Sequence, residues 1–166
     1  VNKSRYILSL CLVIVLQNAV VSNWTVFGVA PALTLLYVVG LTLLYGPMWG
    51  GYTGLGLGLL QDIIFSDVLG VRALLFFVGA TVLGHALYHN DRNYATGTLA
   101  TALFSVFVLV GQWLIFFLLR MPLPGTYMLG GPMLVYAILN AVLFTPVMWL
   151  MQRWIKPENV RRFGTF

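Results

Sequence analysis

The sequence predicts an all-α membrane protein with six transmembrane helices and both termini on the cytoplasmic side. Three observations carry this. The 166 residues are 60% hydrophobic and only 8% charged, with mean hydropathy +0.93, whereas a soluble domain keeps roughly 25% charged residues to solvate its surface. Apolar runs separated by polar or Pro/Gly punctuation divide the chain into six segments of about membrane-spanning length. Seven of the nine basic residues then fall on one side of the resulting topology, as the positive-inside pattern requires.

In order, the spans are expected at Tyr6–Ser22, Pro31–Tyr45, Pro47–Phe65, Val71–Tyr88, Tyr94–Leu119 and about Met128–Ile155. The first run lacks a small-residue cleavage site and reads as a span rather than a signal peptide. Pro31 and Pro47 suit the first turn of a helix, where the missing N–H costs nothing. Tyr45-Gly46-Pro47 makes spans two and three a tight hairpin, and MPLPGTYMLGGP turns the chain between the two longest spans. One domain over residues 1–155 is expected, followed by a short basic cytoplasmic tail at 156–166.

The cytoplasmic side would hold Lys3, Arg5, Arg92, Arg153, Lys156, Arg161 and Arg162, and the outside Arg72 and Arg120. The net charge of +5 therefore describes topology rather than a nucleic-acid surface. The tryptophans lie mostly near span ends, where indoles favour the interface.

Chemistry-bearing residues are scarce. Cys11 is the only cysteine, which excludes an internal disulfide or a cysteine metal cage. His85 and His89 share a helical face, but positions 86 and 87 are Ala and Leu, so the glutamate of a zinc-peptidase motif is missing. Asp91 and Glu158 read as solvated surface charges. No base–nucleophile pair can be assembled, so neither an enzyme nor a cofactor is expected.

The polar residues inside spans carry the remaining interest. Gln17, Asn18, Gln61, Gln112 and Asn140 either bond helix to helix or line a ligand cavity or a partner groove. Asp62 needs a reason, since a carboxylate deep in a bilayer costs about 2.5–3.5 kcal/mol. Arg72, across the short IIFSDVLGV turn, is its expected counter-ion, forming a structural pair that sets the turn.

Gly46, Gly50, Gly54 and Gly58 are spaced four apart, but each such step drifts about 40° around a helix. Gly51, Gly54, Gly58 and Asp62 group better on one side. That smooth face would admit another backbone closely, from within the bundle or from a partner.

GLLQDIIFSDVLGVRAL (58–74) resembles the signature stretch of the MreD family of bacterial rod-shape-determining membrane proteins. Gly58, Asp62, Leu69 and Gly70 match it, with Val71, Arg72 and Leu74 matching many members. Gln17, the opening Pro31-Ala32-Leu33, and Asn140 with Pro146 agree too, while Ala32 departs from the Asn or Asp frequent there. The resemblance implies a six-helix bundle similar to the S components of energy-coupling-factor transporters. It implies a non-enzymatic scaffold for lateral peptidoglycan synthesis in the bacterial inner membrane. The implied partners are the bitopic protein MreC, the actin-like MreB and a glycosyltransferase–transpeptidase pair. MreC is expected on the face of Gly51, Gly54 and Gly58. Kinship with S components implies the alternative, a vitamin-binding transporter subunit with a cavity lined by Gln17, Gln61, Asp62 and Asn140.

Overall fold

The structure is a computed structural model and describes residues 3–19, 23, 25, 27–66, 68–87, 93–122 and 129–155. Six helices follow in order: α1 (Lys3–Ala19), α2 (Leu33–Tyr45), α3 (Pro47–Phe65), α4 (Val71–Leu87), α5 (Tyr94–Leu118) and α6 (Gly131–Trp154). Strands are absent among the described residues. The boundaries fall within three residues of expectation where they can be compared. The expected ends at Ser22, Tyr88 and Met128, and the tail 156–166, lie outside the described residues.

α2 is the axis of the bundle. Every residue from Thr34 to Leu44 is buried, and α1, α3, α4, α5 and α6 all pack on it. A helix apolar all round must sit inside something, and LTLLYVVGLTLLY has no face to spare for water. Leu35, Leu36, Val38, Val39 and Leu41 meet Leu57, Phe76, Phe104, Phe144 and Met148 in one core. The outer helices turn large apolar side chains outward, among them Ile7, Ile63, Leu74, Leu103 and Val142. Such a surface suits lipid.

Among the described residues, α5 and α6, at 25 and 24 residues, are the two helices long and apolar enough to cross a membrane. α2 has only 13 residues, about 20 Å at 1.5 Å per residue, well short of the ~30 Å hydrocarbon core. At least one of its ends therefore stops short of the membrane interface.

α3 and α4 form the most intimate pair. A Cβ on Gly58 would stand 2.5 Å from the Ala73 Cα, one on Gly54 3.1 Å from Phe76, and one on Gly51 2.8 Å from the Thr81 hydroxyl. At the other end of the hairpin, a Cβ on Gly84 would meet Pro47 at 2.6 Å. This corrects the expected partner surface: Gly51, Gly54 and Gly58 are buried because α4 already occupies their face.

Gly56 lies on the open side of the same helix, with nothing within 4 Å of a Cβ. Gly56→Ala should leave the melting temperature in detergent unchanged or raise it, since alanine is the better helix former by about 1 kcal/mol. Gly58→Ala should lower it, overpacking of this kind costing about 1–3 kcal/mol.

Candidate functional site

The polar residues picked out by sequence gather at one end of the bundle, around the first turns of α2 and α4. A helix start leaves backbone N–H groups without intrahelical acceptors, and away from water each needs one from the protein.

At α4 the acceptor is Asp62. Its Oδ2 takes the backbone N–H groups of Gly70 at 2.9 Å, Arg72 at 3.0 Å and Ala73 at 3.3 Å. The last two are the donors that a capping Ser or Asp would satisfy from just before the helix. Gly70 stands there instead, with φ +98°, a left-handed conformation that suits glycine. The cap therefore comes from α3, and Asp62 is fully buried. The positive end of the α4 dipole favours a negative charge at this place. The expected pair with Arg72 is corrected here: Asp62 meets the Arg72 backbone, and no ion pair joins the two side chains among the described residues.

At α2 the acceptors are amides. The residue before the helix is Ala32, which has no side-chain acceptor of its own. Its N–H donates to Asn140 Oδ1 of α6 at 3.0 Å, and the Leu33 N–H donates to Gln17 Oε1 of α1 at 2.6 Å. The amide nitrogens are used as well. Gln17 Nε2 donates to the Pro31 carbonyl at 3.2 Å, and Asn140 Nδ2 donates to Ser105 Oγ of α5 at 3.1 Å. Gln61 Nε2 donates to Thr34 Oγ1 at 2.8 Å, tying α3 to the same turn. Four helices thus converge on the start of the central one.

Beside this network lies a cavity of about 420 Å³. Gln17, Gln61, Arg72, Gln112, Trp113 and Tyr136 supply its polar wall, with Phe76 and Val108 among the apolar lining residues. Of the cavity residues expected from sequence, Gln17 and Gln61 line it and Asp62 and Asn140 do not, because both are spent on caps. Arg72 takes a place in the wall instead. Thr34 and Ser105 were not legible as partners, since a lone hydroxyl in an apolar run carries no pattern. Trp113 read as an interface indole, and Tyr136 carried no signal.

Among the described residues, no group of three or more His, Cys, Asp or Glu is placed to hold a metal; His89 lies outside them. The site is built to fix helix starts and to enclose a small volume, with no nucleophile–base pair in its wall.

Removing the α4 cap should be costly. Asp62→Ala should lower the melting temperature in detergent by the equivalent of about 3 kcal/mol, the scale of hydrogen bonds to a charged acceptor. Asp62→Asn, which keeps one acceptor oxygen, should lose less. Arg72→Gln should have little effect on stability, and Arg72→Asp should not rescue Asp62→Arg. Such a rescue would restore the side-chain pair.

Searches among curated proteins and solved structures return no match. A family model described as rod shape-determining protein MreD matches residues 3–154. The match runs from the first residue of α1 to the last of α6, so the chain belongs to the MreD family of rod-shape-determining membrane proteins.

Proposed function

We propose that the protein is a non-enzymatic scaffold of the lateral wall-synthesis machinery in the bacterial inner membrane. In this reading all six helices lie in the bilayer, with both termini cytoplasmic, and the scaffold holds the bitopic protein MreC by helix packing. MreB and the glycosyltransferase–transpeptidase pair are its further partners. Family membership over residues 3–154 is the observation that carries the reading. Membership in this family displaces the transporter S-component reading, and the cavity stands as a feature of the scaffold.

With the glycine face closed by α4, the MreC helix needs another seat. The groove between α5 and α6 offers one. Thr98, Ala102 and Val106 on one helix face Ala137, Ala141 and Thr145 on the other, each set spaced four apart along its helix. Exposed Leu103, Leu134, Ile138 and Val142 rim it. In lipid, helices associate where small side chains let backbones approach and hydroxyls can bond across. A single-span helix would gain both here.

Co-purification from membranes tests the seat. The wild type should retain MreC, and failure to do so would overturn the scaffold reading. Ala102→Leu with Ala141→Leu should fill the groove and reduce retained MreC at least tenfold, about 1.4 kcal/mol. Leu74→Ala, on an exposed face of α4, should leave it unchanged. Retention of MreC by the groove variant would remove the seat alone.

Orientation has its own test. A green fluorescent protein fused after Phe166 should fluoresce, and alkaline phosphatase at the same position should stay inactive.

A further inference from the structure

The cavity wall combines groups already satisfied with groups left over, and the leftovers share one chemistry. The Gln17 amide holds the start of α2 through both its oxygen and its nitrogen, and Gln61 Nε2 is held by Thr34. Arg72 is different. It is the single charged side chain among the lining residues. Among the described residues no side chain pairs with the guanidinium: the neighbouring Asp62 gives Oδ2 to three backbone donors, and its Oδ1 is buried without a partner. An unpaired cation within a membrane protein is costly and marks a functional position.

Trp113 points the same way. Its Nε1 is buried without a hydrogen-bond partner, and an indole nitrogen can only donate. A buried donor left unsatisfied costs about 1–3 kcal/mol. The indole ring is held in place by stacking on Phe117, at 5.5 Å between centroids and 8° between planes. The Tyr136 hydroxyl and the Gln112 amide complete a wall rich in donors. No carboxylate is among the lining residues.

We propose that this cavity binds a compact oxyanion, a carboxylate or phosphate group, carried on an apolar body. Arg72 meets the charged group through its planar fork of donors, with the Trp113 side chain beside it in the wall. Phe76, Val108 and Leu109, also in the wall, meet the apolar part. The volume of about 420 Å³ lies at the lower end of the range for small-molecule sites. An anionic lipid headgroup and a free small carboxylate share this chemistry. The site is independent of the MreC interface, because the groove residues between α5 and α6 are a different set from those of the cavity.

The test uses the full chain in phosphatidylcholine nanodiscs, with Trp113 fluorescence taken as the difference between wild type and Trp113→Phe. Phosphatidylglycerol and hexanoate are the two probes. At least one should give a saturable change, and whichever does so identifies the source as a lipid headgroup or a free carboxylate. Arg72→Gln should weaken that binding about tenfold or more, the scale of one charge-assisted hydrogen bond, with the melting temperature unchanged. Arg72→Lys, which keeps the charge, should bind more tightly than Arg72→Gln even if either variant loses stability. The proposal is overturned if neither probe saturates, or if the glutamine and lysine variants bind as well as the wild type or equally poorly.

Discussion

The structure depends on one constraint: a helix that starts inside a membrane protein must find acceptors for its first N–H groups without water. α2 makes this acute. At 13 residues it is too short to carry both ends to the interface, and its flanks are covered by five other helices. Its N-terminus is therefore solvated by side chains, with Gln17 of α1 and Asn140 of α6 taking the place of water. Because each amide comes from a different helix, satisfying the backbone also fixes the positions of α1 and α6. Asn140 extends the constraint to α5 through Ser105. A few hydrogen bonds thus orient most of the bundle, while the apolar core supplies non-directional adhesion.

The same constraint explains the glycines of α3. Asp62 can reach the first turn of α4 only if the two helices lie very close. Gly58, one turn earlier, faces the backbone of Ala73, which is itself one of the residues that donates to Asp62. The carboxylate and the glycine are therefore parts of one contact, the first supplying the bond and the second the clearance. Gly54 and Gly51 continue that clearance down the hairpin against Phe76 and Thr81. In lipid, where burying apolar surface between helices gains little, such close packing is a main source of association.

Much of the fold was legible because punctuation is local. Pro47 opens α3, Gly46 breaks the hairpin with φ +98°, and Gly70 opens α4, each for a reason written at its own position. The site was legible only as an inventory. Gln17, Asp62 and Asn140 stood out because polar groups in apolar runs are expensive, yet their partners are backbone N–H groups, which every residue has and no sequence displays. That is why a side-chain partner, Arg72, was the natural expectation for Asp62. It is also why the glycine face could not be assigned to α4 or to a partner, since both readings need the same smoothness. Ala32 was informative in retrospect. Asn or Asp there could accept the N–H of Thr34 or Leu35, whereas Asn140 and Gln17 accept those of Ala32 and Leu33, which an N-cap side chain does not reach.

Asp62 and Arg72 show how two opposite charges can be neighbours without being a pair. Each hydrogen bond from a neutral donor to a buried carboxylate contributes about 1.5–3 kcal/mol. Oδ2 accepts three backbone N–H groups, while Oδ1 has no hydrogen-bond partner among the described residues. The α4 dipole adds to the preference, since its positive end is already at the carboxylate. Asp62 is thereby held by backbone, and the Arg72 side chain is left to the cavity. The acid's structural role and the cation's availability follow from the same choice of partner.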